Sequence, residues 1–295
     1  LPDGRSQPNG GAANWSSGFL PASCQGVPFH SAAEPVRDLF PARPVPPGED
    51  RDGRSLVAFL DRRHRDRHPG DDLLEARIRA AALAARMQVS VPDAVDFADE
   101  TEWTLRAYGI GVQPTDDCGR RCLLARRLLE RGVRFVQLYS GGAFGGTPRH
   151  GWDGHEDNRE NHAREAALVD RPLAALLGDL RVRGLLDETV VVCTTEFGRT
   201  PFAQSAAGVL GAGRDHNPEG FSVWMAGAGL VPGVAHGATD DLGFRAVERP
   251  VTWPDLHATL LRLLGIDHER LTFYHDGIER RLTNVSGTPI GAILA

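Results

Sequence analysis

Three short motifs hold most of the side chains in this sequence that could do chemistry together. They are residues 152–155 (WDGH), 196–201 (EFGRTP) and 213–216 (GRDH). Imidazole and carboxylate groups suit a borderline or hard divalent cation, and arginine beside them suits an anion. The motifs therefore predict a metal-dependent centre for phosphate or sulfate esters, with Zn, Ca, Mg or Mn as the ion.

Asp153 and His155 lie two residues apart in an irregular, glycine-rich stretch. This stretch follows a predicted strand at 133–139, and open α/β sheets place their sites after strands. The spacing lets both side chains reach one ion without a helix. The alternative is a turn anchored by Trp152 in which Asp153 caps its own backbone.

Glu196 directly follows a predicted strand at 189–194, so its carboxylate should emerge at the carboxyl end of that strand. Arg199 comes next and could bind a tetrahedral oxyanion through two hydrogen bonds. We therefore predict Arg199 as a catalytic residue. The alternative is a Glu196–Arg199 ion pair that only braces the loop.

Asp215 and His216 precede a predicted strand at 221–226. If that strand were parallel to its neighbours, His216 would lie at the wrong edge of the sheet. We therefore predict an antiparallel or edge strand, which turns His216 toward the other motifs. The predicted metal ligands are Asp153, His155, Glu196, Asp215 and His216. Ligand atoms that share an ion should converge within roughly 5 Å.

Other histidines have simpler interpretations. His257 and Asp255 open a predicted helix at 256–264, where Asp255 or Thr252 would serve as the N-cap. Five further histidines show no pattern of partners and are predicted to lie on the surface: His64, His68, His236, His268 and His275.

The elements that must position the motifs follow from periodicity. Residues 1–55 are rich in turn-forming residues, and 56–87 fit a helix with a break at 69–70. Helices at 118–131 and 162–183 then alternate with the predicted strands, and Pro172 could kink or divide the second helix. This order predicts an open α/β sheet with helices on both faces.

Composition narrows the classes of function. The 295 residues are 41% hydrophobic, enough for a sizeable core, and the net charge of −6 argues against a nucleic-acid partner. No apolar run approaches the roughly 20 residues of a transmembrane helix. The sequence contains no lysine, which excludes a lysine nucleophile. No other nucleophile motif stands out.

The motifs as a set resemble the DUF1501 proteins, which are sulfatase-like members of the alkaline phosphatase superfamily. The resemblance covers essentially the whole length and includes residues 8–21 (PNGGAANWSSGFLP) and 255–261 (DLHATLL). It implies a three-layer α/β/α sandwich with a mostly parallel sheet and an antiparallel strand. Residues 1–100 would then be a loop-rich and helical insertion or cap, and 101–295 the C-terminal part of the core.

The same resemblance implies a binuclear metal site. Asp153, His155 and His216 match the ligands of the first metal, and Glu196 matches a carboxylate of the second. The superfamily usually has a histidine after that acid, whereas this chain has Phe197. Family members also look longer at the N-terminus, so the first strand and the nucleophile region are expected to be missing here.

We therefore expect a hydrolase that acts on a small-molecule or glycan ester. The alternative is a non-catalytic relative that binds a sulfated glycan or a protein partner. Phe197 and the absent nucleophile favour the alternative, while the clustered acids and histidines oppose it. Relatives are often exported, so a periplasmic or secreted location is the expectation by resemblance.

Overall fold

The structure is a computed structural model that divides the chain into two compact units, Leu1–Gly141 and Gly142–Ala295. It describes residues 1–5, 11–20, 24–31, 36, 43, 45–69, 74, 78, 91–141, 151–204 and 211–295. The sequence-based division falls after residue 100, whereas the structure divides the chain after Gly141. Residues 101–141 therefore belong to the first unit rather than to the second. That residues 1–100 form an insertion or cap stays a prediction.

The described part of the first unit contains helices α1 (Pro47–Arg67), α2 (Glu102–Ala107) and α3 (Asp116–Glu130). Helix α1 begins well before the predicted residue 56. Proline in its first turn already has a helical φ, and the acidic residues that follow favour a helix N-terminus. Apart from residues 74 and 78, which are helical, the second half of the predicted 56–87 helix lies outside the described residues.

The inner face of α3 supplies the core of the first unit. Leu123, Leu124 and Leu128 are buried, which confirms the spacing prediction for this helix. The main cluster consists of Leu1, Ala94, Leu124, Ala125 and Leu128, with Phe29, Val95, Phe97, Val136 and Leu138 packed against it. Helix α3 is therefore held by apolar contacts from both earlier and later segments.

The predicted strand at 133–139 does not form. Among the described residues, Tyr139 N–H donates to the Leu1 carbonyl (3.0 Å) and the Leu1 amino group donates to the Gln137 carbonyl (2.7 Å), but no second strand pairs with the segment. The alternating pattern was a poor guide because Phe135 is 73% exposed rather than packed against a sheet. Two backbone contacts to one residue do not make a ladder.

The described part of the second unit contains helices α4 (Asn158–Val182) and α5 (Trp253–Leu263). Helix α4 continues through Pro172, which is buried within it, so the helix is not divided there. Helix α5 begins at a capping box in which the Thr252 and Asp255 side chains each bond the other residue's backbone N–H. This confirms the predicted cap.

Strands in the described residues of the second unit pair two by two. They are β1 (Val190–Cys193), β2 (Gly198–Arg199), β3 (His216–Asn217), β4 (Trp224–Gly227), β5 (Ala238–Thr239), β6 (Ala246–Glu248), β7 (Thr272–His275) and β8 (Ile278–Arg281). The pairs are β1 with β4, β2 with β3, β5 with β6 and β7 with β8, all antiparallel. The described residues therefore show helices with small antiparallel sheets in place of the expected mostly parallel sheet.

The antiparallel pairing of β4 confirms the prediction made for the strand that follows His216. Antiparallel neighbours need only a returning loop, whereas a parallel pair needs a longer crossover. As for membranes, none of the helices in the described ranges is both long and apolar enough to span a bilayer.

Candidate metal centre

Two antiparallel arms, residues 190–199 and 216–227, form the framework of the site. Strands β1 and β4 pair in their outer parts, and β2 and β3 pair in their inner parts. Because β2 lies against β3, Arg199 stands directly opposite His216. Two of the three sequence motifs therefore meet through backbone pairing alone.

The third motif, residues 152–155, is attached to these arms through residues 211–215. The Arg214 N–H donates to the carbonyl of Gly154 at 3.0 Å. Gly213 permits this approach, because a Cβ at that position would lie 2.0 Å from the backbone carbonyl carbon of His155. A side chain at residue 213 would push the two loops apart.

This framework brings Asp153, His155 and His216 together, and we call these three residues the candidate triad. One ligand atom from each lies within 4.8 Å of the others. Asp153 Oδ1 is 2.8 Å from His155 Nε2 and 2.9 Å from His216 Nε2, and the two nitrogens are 3.0 Å apart. The Asp153 and His216 side chains are each 44% exposed, so solvent reaches the cluster.

Arg199 is fixed beside the candidate triad by four contacts. Its Nη2 donates to Asp153 Oδ1 at 2.7 Å, and its Nη1 lies 3.4 Å from His155 Nε2. The same guanidinium donates to the backbone carbonyls of Trp152 (3.3 Å) and Arg214 (3.2 Å). The cation therefore adjoins the side chains that could hold a metal, as expected for an anion-binding residue.

The charge state of Asp153 suits a metal ligand. Burial alone would raise the pKa of this carboxyl group. Hydrogen bonds with His216 and Arg199, together with electrostatic interactions with His155 and Arg199, outweigh burial and lower the pKa from 3.8 to about 2. Asp153 is therefore ionised at neutral pH, which metal coordination requires.

The donor atoms of the candidate triad also fit a divalent ion. Two imidazole nitrogens and one carboxylate oxygen suit zinc, whereas calcium and magnesium prefer oxygen ligands. A tetrahedral ion about 2.0–2.1 Å from three such donors would hold them roughly 3.3–3.4 Å apart. The observed separations of 2.8 to 3.0 Å are a few tenths of an ångström shorter, so a small outward movement of the side chains would admit the ion. Among the expected metals, the donor set therefore favours zinc over calcium and magnesium.

Two of the five predicted ligands do not belong to the candidate triad. Glu196 is exposed, and its Oε2 accepts a hydrogen bond from the Thr195 hydroxyl at 3.2 Å. Asp215 Oδ1 accepts from the backbone N–H of His216 at 2.8 Å and lies 4.0 Å from His155 Nδ1. The predicted role of Glu196 as a ligand stays a prediction. Asp215 lies on the Nδ1 side of the His155 ring, whereas the other two members of the candidate triad lie on the Nε2 side.

The alternative pairing for Arg199 is also resolved by the geometry. Arg199 forms its ion pair with Asp153 rather than with Glu196. Phe197, which replaces the expected histidine, packs its ring against His216 with centroids 4.2 Å apart. This position therefore supplies an apolar wall for His216 where the resemblance would put a second-metal ligand.

One residue of the site was missed by the motif analysis. Gln204 places its Oε1 2.7 Å from His155 Nδ1. No motif marks this glutamine, and its position a few residues after the EFGRTP run is the only signal in the sequence. Contacts between loops that are distant in sequence are not encoded in the local spacing of residues.

Of the five histidines predicted to lie on the surface, His64 and His68 are exposed, His236 and His275 are half-buried, and His268 is buried. His257 is exposed beside the Trp253 ring in the first part of α5, where the sequence placed it at the start of a helix. His268, predicted to lie on the surface, is instead 7% exposed, and its Nδ1 lies 2.9 Å from the Thr283 hydroxyl. The surface prediction was wrong because a single hydroxyl, distant in sequence, satisfies the buried ring.

Comparison with known proteins gives one match. The sequence model of a family described as a protein of unknown function (DUF1501) matches residues 1–294. Neither the curated proteins nor the solved structures contain a match to this chain. Since the match spans nearly every residue, the motifs that form the candidate triad and Arg199 lie within it. The chain belongs to the DUF1501 family.

Proposed function

We propose that this chain is a metal-dependent hydrolase of sulfate or phosphate esters, with a fold related to the alkaline phosphatase superfamily. One observation carries the proposal: Asp153 Oδ1 is shared by two imidazole nitrogens and by the Arg199 guanidinium, all within 2.9 Å. Three side chains that could hold an ion thus adjoin a cation that could bind an anion. The proposed three-layer α/β/α sandwich rests on the resemblance of the motifs.

Each residue has a distinct role in this proposal. Asp153, His155 and His216 would hold the ion, which would supply charge stabilisation at an oxygen of the ester when bound. Arg199 presents a planar group with several N–H donors and would orient the tetrahedral sulfate or phosphate group. The backbone carbonyls that hold Arg199 keep it in place before the substrate arrives, which lowers the entropic cost of binding.

A second candidate function is favoured by a specific contact. Phe197 packs on His216 at the position where the resemblance predicts another metal ligand. In addition, none of the described hydrogen-bond or ion-pair partners of the candidate triad is a hydroxyl or a thiol that could serve as nucleophile. Both features suit a non-catalytic relative that uses the centre to bind a sulfated glycan or a protein partner.

Metal analysis combined with assays on aryl sulfates and aryl phosphates separates these candidates. The proposal predicts stoichiometric zinc and zinc-dependent release of the aryl alcohol. Arg199→Met should keep the metal but reduce kcat/KM by about 100-fold or more, the loss found when one charge-stabilising donor is removed. Arg245→Met, which removes an exposed arginine paired with Glu219 in the same unit, is the matched control.

The outcomes assign the function. Bound zinc without turnover, together with zinc-dependent binding of a sulfated glycan, would support the second candidate instead. Turnover that persists unchanged in Arg199→Met would contradict the proposed role of the arginine.

A further inference from the structure

We propose that Gln204 is a positioning residue that fixes the tautomer of His155. In this assignment the side-chain carbonyl of Gln204 accepts the Nδ1–H of His155, which leaves Nε2 without a proton and directed into the candidate triad. The assignment deepens the proposed function and rests on it, because a metal ligand coordinates through an unprotonated nitrogen.

The surroundings of Nδ1 favour a proton on this nitrogen. Gln204 Oε1 lies 2.7 Å from Nδ1, and Asp215 Oδ1 lies 4.0 Å from it. A carboxylate only accepts, and an amide oxygen likewise accepts. Both oxygens on this side of the ring therefore favour the tautomer with the proton on Nδ1.

The surroundings of Nε2 agree with this assignment. The atoms nearest to it include the Arg199 Nη1 donor at 3.4 Å and His216 Nε2 at 3.0 Å. Asp153 Oδ1, at 2.8 Å, could also accept a proton from Nε2, but it already accepts from Arg199 at 2.7 Å and contacts His216 at 2.9 Å. A neutral imidazole holds a single proton, and the Nδ1 side has the acceptor with no competing partner among the described atoms.

Gln204 is itself held by the loop that positions His155. Its backbone N–H donates to the Gly213 carbonyl at 3.0 Å. Gly213 is also the residue that packs directly against the His155 backbone. The amide and the imidazole are therefore anchored to the same segment, and the hydrogen bond between them does not depend on a flexible connection.

Carbonyl or carboxylate partners on the second nitrogen of a ligand histidine fix the ring orientation and raise its basicity. Loss of such a partner typically lowers metal affinity 10- to 100-fold. Here the partner comes from an exposed loop residue, so the side chain can be exchanged without opening a core. The position can consequently be tested with variants that keep the fold.

The first test uses 15N-labelled histidine in the full chain at a pH of about 8, where an ordinary imidazole is neutral. Protonated and bare ring nitrogens give separate resonances. Wild type should show His155 with Nδ1 protonated, whereas Gln204→Leu should shift this ring toward a mixture of tautomers. Gln137→Leu makes the same chemical change at an exposed residue of the first unit and should alter nothing.

The second test measures zinc affinity by calorimetry. Gln204→Leu should weaken zinc binding by about 10- to 100-fold, and Gln204→Glu should restore wild-type affinity, because a carboxylate also accepts from Nδ1. An unchanged His155 tautomer in Gln204→Leu, or equal zinc affinity in the leucine variant and wild type, would overturn the assignment. Absence of zinc from wild type would overturn the proposed function, and the resonances of His155 would still decide the role of Gln204.

Discussion

Glu100 in the first unit and Asp153 in the second unit both accept hydrogen bonds from arginine, but their surroundings differ. Glu100 pairs with Arg126 and Arg127, and we call these three residues the buried ion cluster. Their side chains are 6%, 3% and 8% exposed. Arg127 also donates to the backbone carbonyl of Ala94. The cluster thus joins α3 to the segment before α2.

The candidate triad has a similar carboxylate–arginine pair but opens to solvent. Asp153 is 44% exposed and Arg199 is 20% exposed. Its two additional neighbours are imidazoles, which can give up a proton and bind a metal near neutral pH. The comparison shows that an arginine–carboxylate pair alone does not mark a functional site. Exposure and converging imidazoles distinguish the second cluster from the first.

The largest effect on stability is expected from Glu100→Gln. Loss of this charge leaves the buried Arg127 guanidinium without its carboxylate and leaves Arg126 paired with Glu130. This should lower the free energy of unfolding by about 3–5 kcal/mol. Urea denaturation measures this change. Glu102→Gln, at an exposed position on α2, should stay within about 0.5 kcal/mol of wild type. Zinc affinity should not change in either variant. A loss of zinc binding in Glu100→Gln alone would show that the buried ion cluster is not purely structural.

Asp153→Asn should have the opposite effect: a large loss of zinc affinity with little change in the free energy of unfolding. The amide keeps the shape of the side chain but loses the charge that a metal ligand needs, so zinc affinity should fall at least about 100-fold. The unfolding free energy should change by less than about 1 kcal/mol, because Asp153 is 44% exposed and solvent screens its ion pair with Arg199. Asp241→Asn, an exposed acid in the same unit, is the control. Strong destabilisation without loss of zinc would make Asp153 a structural residue like Glu100.

Gly213→Ala tests whether loop approach positions the candidate triad. The added Cβ would lie 2.0 Å from backbone atoms of His155, so the two loops must separate. We expect a loss of about 1–3 kcal/mol in stability from this overpacking and roughly tenfold weaker zinc binding, measured by calorimetry. Gly178→Ala adds the same methyl group at an open position on α4 and should leave zinc binding intact. Equal zinc affinity in both alanine variants would show that this approach does not matter.

The smallest expected effect is the change in stability at low pH that comes from Glu100. Burial would raise the pKa of Glu100, but hydrogen bonds from Arg127 and Arg126 and their charges outweigh it and hold the pKa below 4.5. A carboxyl group with a lowered folded pKa contributes stability above its unfolded pKa and loses it as pH falls through the folded value. The stability difference between wild type and Glu100→Gln should therefore be constant above pH 4.5 and shrink below it. A difference that grows on acidification would contradict this sign.

Much of the candidate site could be predicted from the sequence. Asp153, His155 and His216 lie in short motifs beside strands, and the need for His216 to reach the others correctly required an antiparallel strand. Helix α5 and its N-terminal cap could also be predicted from the sequence, because a capping box depends on residues only three positions apart. Local spacing carried each of these predictions.

The remainder depended on contacts that local spacing does not contain. The alternation at 133–139 suggested a strand, but none of the described segments pairs with it as a second strand. The buried ion cluster was not foreseen either, because arginine on a helix is ordinarily solvated. Gln204 and Phe197 became part of the site description only when separate loops were seen to meet.

If solvent exposure and two converging imidazoles make the candidate triad a metal site, the purified chain should contain metal. Wild type and the triple variant Asp153→Asn, His155→Ala, His216→Ala should be loaded with zinc, dialysed and analysed by mass spectrometry. We expect one zinc per wild-type chain and none in a folded triple variant. A wild type without zinc, or a triple variant that retains as much zinc as wild type, would contradict this expectation.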